Sequence, residues 1–310
     1  MIKTLRTISA LALCVIIAPV FTSCGDDDND EPGNGAIVEI DGTRLTSMNN
    51  AAITYDRDGR LTRIASPYSI SINYDEGTIT TLDDYEEGAL DVRFNGSGYI
   101  SELSNSWDYT EIDGGDKYQY KGSGKMRFSY NREGNLIRID CSNSEIEKDF
   151  SDGTTEKFSE EYTVSYKWEN GNLVEVVESG KENEDGYVDN WTDSYVISYG
   201  NESNKFLQMP MNLSYIAFDE SGFQVLATAG LFGNGPVKLP NYISESDDEG
   251  YESGHSIDFT LNDNGSIASE TGSYRPFYYG YSAFSRSAAS SEDNIKFNVR
   301  NLFVKRHARK

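Results

Sequence analysis

Met126-Arg127-Phe128-Ser129-Tyr130-Asn131-Arg132-Glu133-Gly134-Asn135-Leu136-Ile137-Arg138-Ile139 is the stretch that decides the fold. Apolar side chains alternate up to Tyr130, a polar turn follows, and a second apolar run leaves it. Alternation with a period of two reads as a half-buried strand. An Asn or Asp at the first turn position accepts a hydrogen bond from backbone two residues on. A Gly three positions later tolerates the left-handed conformation that a type I turn with a bulge requires. The stretch is a β-hairpin, and the chain repeats it. The hexads Gly59 to Ile64, Gly77 to Leu82, Gly98 to Leu103, Gly134 to Ile139 and Gly171 to Val176 share the form G-x-[LI]-x-x-[ILV], and Gly265-Ser266-Ile267 fits only in its first half. Ahead of them stand Ile53, Tyr55, Asp56; Val92, Phe94, Asn95; and Ile257, Phe259, Leu261, Asn262. The apolar spacing of three after each Gly departs from alternation, so a bulge is expected there to switch the side-chain face.

The intervals between these glycines lengthen along the chain. The longer ones hold a second turn each, at Asp113-Gly114-Gly115-Asp116, Asp152-Gly153 and Asp185-Gly186. Turns alternating between two ends describe an all-β, antiparallel up-and-down meander with strands lengthening toward the middle. So many twisted strands seldom stay open, and closure into a barrel removes the edges. Ser, Thr, Asn, Glu and Lys at the outward positions oppose a transmembrane barrel, whose outer band is apolar. One short helix over about 218–230, with Gly230 as its stop, is expected to plug or cap a barrel mouth. Leu231-Phe232-Gly233 and Leu239-Pro240 would lie against the same opening.

Residues 1–23 read as a secretory signal, with Lys3 and Arg6 ahead of an apolar stretch from Ile8 to Val20 and small residues before Cys24. That stretch is too short for a permanent membrane helix. Cys24 directly after such a tail resembles the bacterial lipobox, which implies an acylated Cys24 and outer-membrane lipid as a partner. A plain secretory signal with an incidental Cys is the competing reading. Residues 24–36, with Asp26, Asp27 and Asp28, are too polar to bury anything and form a tether. The acidic run resembles the surface-export signal of lipoproteins from gut Bacteroidetes; a solvated spacer on a periplasm-facing lipoprotein is the alternative. Residues 37–304 form a single β domain, and 305–310 a basic tail.

The chain holds 51 Asp+Glu against 27 Lys+Arg, a net charge of −24, in 310 residues. A field this negative repels nucleic acid, so no such partner is expected. With 2 His and 3 Cys there is little material for a metal site, and no cofactor is expected. Apolar residues reach only 37% even with the 21 Tyr counted, so tyrosine must serve the core. Cys14 leaves with the signal and Cys24 would be thioether-linked. Cys141 is then the single thiol of the mature chain, set beside a hydrophobic strand as a core residue.

Lipobox, acidic tether, Tyr-Asp-x-x-Gly-x-Leu-x-x-Ile hairpins and the internal Leu-Phe-Gly to Leu-Pro segment together resemble a family of uncharacterised secreted lipoproteins of gut Bacteroidetes with a porin-like barrel fold. The hairpins are also similar to the YD repeats of Rhs-type toxin shells, from which this chain departs in having few, irregularly spaced units. The resemblance implies fold and location and transfers no site.

No catalytic residue is assigned. Asp83-Asp84 with Glu86-Glu87, or Asp247-Asp248-Glu249, offers carboxylate pairs for a surface glycoside hydrolase, but loop runs of like charge are ordinarily solvated. Asp56-Arg57-Asp58-Gly59 begins like a calcium loop and lacks its later ligands. His255 and His307 have no partner at motif spacing. Tyr274, Phe277, Tyr278, Tyr279 and Tyr281 form a dense aromatic cluster, read as a loop suited to recognising a glycan or a partner protein, with Trp107, Trp168 and Trp191 as supplements. Filling of a barrel interior is the alternative for those rings. The expected function is a non-catalytic binding or assembly role on a lipid-anchored surface protein; a hydrolase or a purely structural, shielding lipoprotein are the other readings.

Overall fold

The computed structural model describes residues 39–40, 43–65, 69–81, 88–113, 116–218, 221–248, 250–272 and 276–283. Residues 1–36 and 305–310, read above as signal, tether and basic tail, lie outside the described residues, and Cys24, Asp26, Asp27 and Asp28 with them. In chain order the strands are β1 Glu39–Ile40, β2 Thr43–Met48, β3 Ala51–Tyr55, β4 Leu61–Ile64, β5 Ile70–Asn73, β6 Thr78–Thr81, β7 Gly88–Phe94, β8 Ile100–Asp113, β9 Asp116–Tyr130, β10 Leu136–Asp149, β11 Thr155–Glu169, β12 Asn172–Glu184 and β13 Tyr187–Ser203. Helices α1 Met211–Ala217 and α2 Ser221–Thr228 follow, then β14 Lys238–Asp247, β15 Glu252–Ser256, β16 Asp258–Leu261, β17 Ile267–Thr271 and β18 Phe277–Ala283.

Each strand from β2 to β14 pairs antiparallel with the next. β16, β17 and β18 continue the meander, and β18 pairs back to β2, with Tyr279 opposite Met48 and Ala283 opposite Thr43. β15 and β16 lie end to end with buried Ile257 between them, β15 laddered to β14 and β16 to β17. The all-β meander is thus a nearly closed barrel with one seam. Strands lengthen from 4 residues in β4 to 17 in β13, as the turn spacing predicts.

The hairpin chemistry is realised atom by atom. Gly59, Gly98, Gly134 and Gly265 have φ of +84°, +80°, +80° and +84°. Their amides donate to the carbonyls of Asp56, Asn95, Asn131 and Asn262. Asp56, Asn95 and Asn131 also accept from backbone two and four residues on through one carboxylate or amide oxygen. A register shift follows each of these turns, leaving Thr62, Ser101, Ile137 and Ala268 as the extra residue, and Val174 does the same after Gly171. The bulge returns the chain to the same face one residue late. Leu61 and Ile64, Ile100 and Leu103, Leu136 and Ile139, and Leu173 and Val176 are therefore all buried.

The bulge also withdraws a carbonyl from the ladder, and an aromatic donor from a later hairpin supplies it. Tyr74 OH donates to Leu61 O at 3.0 Å, Tyr130 OH to Ile100 O at 2.6 Å, Trp168 Nε1 to Leu136 O at 2.7 Å and Tyr199 OH to Leu173 O at 2.7 Å. Each acceptor is the first apolar residue of a hexad. Tyr74, Tyr130 and Tyr199 thus serve twice: the ring packs and the hydroxyl repairs the bulge. Tyr130→Phe keeps the ring and strands the Ile100 carbonyl, so it is expected to cost about 1–3 kcal/mol, read as a lower denaturant midpoint at constant slope.

The interior is plugged. Two helices stand where the sequence predicts one, because Phe218 is extended (φ −147°, ψ 125°) and ends α1, and a second helix starts at Ser221. Gly230, at φ +90°, stops α2 as expected, with its amide on Ala227 O and that of Leu231 on Leu226 O. Met211, Leu213, Phe223, Leu226 and Phe232 are buried in one core with residues from β2 to β18. At its heart is Glu270. It stands at the last position of the sixth hexad, where the other hexads carry Ile, Leu or Val, and is 1% exposed. Its carboxylate accepts the backbone amides of Met211 and Asn212, Asn212 Nδ2 at 2.8 Å and the Tyr279 hydroxyl. Burial pushes its pKa up, against the lowering pull of those donors.

Candidate functional site

The strands β8 to β13, at 13 to 17 residues, are far longer than β2 to β6, at 4 to 6. At about 3.3 Å per residue their ends run well past the core as an extended wall. Register sorts its residues by face. One inward row is Trp107, Gly122, Glu145, Phe158, Glu184 and Tyr187; the next is Asn105, Gly124, Asn143, Glu160, Glu182 and Asp189. The third, nearer the plug, is Leu103, Met126, Cys141, Tyr162, Gly180 and Trp191, with Glu178 opposite Asp193 below it. Among the described residues, none of the inward positions of β8 to β13 is Lys or Arg; every basic residue of these strands takes an outward position.

The outward face is electrically self-sufficient. Lys125 reaches Glu102 at 2.7 Å, Lys121 reaches Asp108 at 3.2 Å, Arg138 reaches Asp140 at 2.6 Å and Lys167 reaches Glu169 at 3.0 Å. Hydrogen bonding to Arg138 holds the Asp140 carboxyl below the usual range. Partial burial works to raise Glu102, but Lys125, Arg93 and Arg127 bring it lower on balance. Two shallow hollows, of about 530 and 460 Å³, share Lys125 and Ser142 and are lined mainly by outward hydroxyl and charged groups. Surface pairs of this kind contribute little stability and keep the face wet.

The inward face is built differently. Two tryptophans lie flat on neighbouring strands, each over a glycine. A Cβ on Gly122 would come within 2.4 Å of Ser144 O and 2.6 Å of the Trp107 ring, and one on Gly180 within 2.4 Å of the Trp191 ring. Glycine is the residue that lets the indoles settle there. Trp107 Nε1 donates to Glu145 Oε2 at 2.9 Å, and Asn143 Nδ2 donates to Glu160 Oε2 at 2.9 Å. Glu145, Glu160 and Glu178 are 2%, 1% and 8% exposed. Burial, with the Glu178 charge adding to it, pushes the phenols of Tyr162 and Tyr166 well above their ordinary pKa, so both stay protonated. Cys141 is a buried thiol in this face, outside any disulfide, as the core reading expects.

The aromatic run at 277–281 is a strand, not a loop, and its rings alternate. Phe277 and Tyr279 are buried, Tyr281 is half-buried with its hydroxyl on Gln208, and Tyr278 is 58% exposed. Tyr274 lies outside the described residues. Phe277, Tyr279 and Tyr281 fill the interior and do not form one exposed surface with Tyr278. Trp168 serves a bulge carbonyl, whereas Trp107 and Trp191 belong to the acidic wall. Asp56 to Gly59 is a hairpin turn, in which Asp56 Oδ2 pairs with Arg60 Nε at 2.7 Å. Asp247 Oδ1 accepts the Tyr251 amide in the β14–β15 turn, and residues 82–87 and Glu249 lie outside the described residues. His255 faces Ile243 on β14, and burial lowers its pKa against the raising influence of Glu245. His307 lies outside the described residues. No group of three or more His, Cys, Asp or Glu placed to hold a metal occurs among the described residues.

No protein-family model matches the chain, and no curated protein does. Among solved structures it is similar to a porin-like protein from Bacteroides uniformis ATCC 8492, at 10% identity over 81% of this chain and 100% of that chain, with a TM-score of 0.31.

Proposed function

We propose that this chain is a lipid-anchored, non-catalytic binding protein of the bacterial outer membrane, displayed at the cell surface, and that the extended wall of β8 to β13 is its binding surface. One observation carries the reading: beyond the plug the long strands line their inward face with Trp107 and Trp191, packed against the edge of the core, and with the buried acids Glu145, Glu160 and Glu178. A packed interior favours binding over conduction, since α1, α2 and Phe232 occupy the space a channel would need. Cys24 and Asp26 to Asp28 supply the anchor and the address. The partner is a glycan or another protein at the cell surface.

Metabolic labelling with a palmitate analogue is expected to mark the chain and to fail on Cys24→Ala, and protease added to intact cells is expected to remove the labelled protein. Ligand binding is expected to quench the fluorescence of Trp107 and Trp191, with the quench reduced in the Trp107→Phe/Trp191→Phe variant. Labelling that survives Cys24→Ala, or turnover of a polysaccharide by the purified chain, would overturn the proposal.

A further inference from the structure

We propose that the inward face of the extended wall binds a primary ammonium group, as carried by a linear polyamine or a lysine side chain, seated at Asn143, Glu145 and Glu160. The inference rests on the wall being the binding surface and adds the ligand's chemistry. Asn143 is 6% exposed, and its Nδ2 is committed to Glu160 Oε2 at 2.9 Å. That bond fixes the amide's orientation, because a carboxylate accepts only from the nitrogen end. Oδ1 then faces away from Glu160, and it has no hydrogen-bond partner among the described residues. A buried carbonyl oxygen left in this state is costly, and only a donor or a cation can satisfy it.

The surroundings select the cation. Glu145 and Glu160 flank Asn143 along and across the sheet, and the β9 residues opposite Glu145 and Asn143 are Gly122 and Gly124, which carry no side chain. Trp107, bonded to Glu145, presents an indole, whose face attracts ammonium groups. One carbonyl, carboxylate oxygens and a π-face suit the three donors of an ammonium group, whereas no group of three or more acidic, His or Cys ligands placed for a metal occurs among the described residues. Glu182 and Asp189 continue the same row, so a ligand with several spaced amines gains further contacts.

The test is titration calorimetry on the mature chain with spermidine, with pentalysine, and with the N-acetylated form of each. The amines are expected to bind and their acetylated forms to bind at least tenfold more weakly, with affinity falling as salt rises. Glu145→Gln retains an acceptor for Trp107 and should melt with the parent, yet lose at least tenfold in affinity; Asn143→Leu should lose as much. Binding of spermidine alone or of pentalysine alone identifies the source of the amine. The proposal is overturned if neither amine binds, if the acetylated forms bind as well, or if a folded Glu145→Gln binds like the parent. Failure of this kind leaves tryptophan quenching by a neutral glycan, and surface display through Cys24, to judge the wider reading separately.

Discussion

Glu270→Ala is expected to lower stability by about 3–5 kcal/mol, one of the two largest single-site effects in the molecule. The carboxylate accepts from Met211 N, Asn212 N, Asn212 Nδ2 and the Tyr279 hydroxyl, all buried, and truncation takes this acceptor from Asn212 N, Asn212 Nδ2 and the Tyr279 O–H, which are left dry. Met211 N keeps one acceptor, the Tyr279 hydroxyl oxygen. Each donor stranded near a lost charged acceptor contributes on the order of 1–3 kcal/mol, less whatever water enters the cavity. Glu270→Gln keeps an acceptor oxygen and should cost clearly less. The two variants also separate charge from geometry through pH. Burial raises the folded pKa above the unfolded one, so the folded state binds the proton more tightly. The contribution of this group is full below the unfolded value near pH 4.3 and declines as pH rises through the raised folded value. Wild-type stability should therefore fall from about pH 4 toward neutrality more steeply than that of Glu270→Gln, in denaturant titrations run at each pH. Parallel pH profiles would show that Glu270 ionises as easily inside as outside.

The same residue shows what could be read in the sequence. Five hexads obey G-x-[LI]-x-x-[ILV] and the sixth breaks at its last position, which is Glu270. Hairpins, bulges and barrel were legible because turn chemistry is local: an Asp or Asn and a Gly three apart fix the turn whatever surrounds it. The meaning of the break was not legible, since it depends on α1 arriving from a distant part of the chain. The second helix was hidden for a related reason. Met211 to Ala217 is too short to show a helical period, and burial in the barrel, not propensity, holds it.

The acidic wall was harder still. Along β11 and β12, opposite charges sit side by side, as in Lys157 before Phe158 and Glu160, and Lys181 before Glu182. Read along the chain these segments look like ordinary mixed-charge surface. Only the register assigns every base to the outward face and leaves acids as the only charges on the inward one, and register depends on where each bulge falls. The signal that would have found the face is the parity of the charges within each long strand, taken outward from the turn. Parity also decides the aromatic run at 277–281. Pro276 and Gly280 suggest a loop, but pairing of β18 with β2 makes it a strand and sends alternate rings into the core.

Phe232→Ala is expected to cost about 3–5 kcal/mol, because this ring joins the plug to the wall. Its centroid lies 4.8 Å from Phe128 on β9, 4.6 Å from Phe218 after α1 and 5.9 Å from Phe223 on α2. The preceding Leu231 carbonyl accepts the Ile100 amide at 2.9 Å, which pins the backbone and keeps the helices from sliding in to fill the space. The cavity should remain open, and cavity cost adds to lost transfer energy. Tyr278→Ala, an aromatic truncation at an exposed site of the same barrel, should stay within about 0.5 kcal/mol of the parent. Equilibrium unfolding in guanidinium distinguishes the two, with the midpoint falling for Phe232→Ala at an unchanged slope. A loss below about 1 kcal/mol for Phe232→Ala would mean that the strands hold together without the plug, and that the barrel can open a passage after all. A loss of the expected size ties the plug to the folded state, and leaves the extended wall as the part of the barrel free to meet a partner.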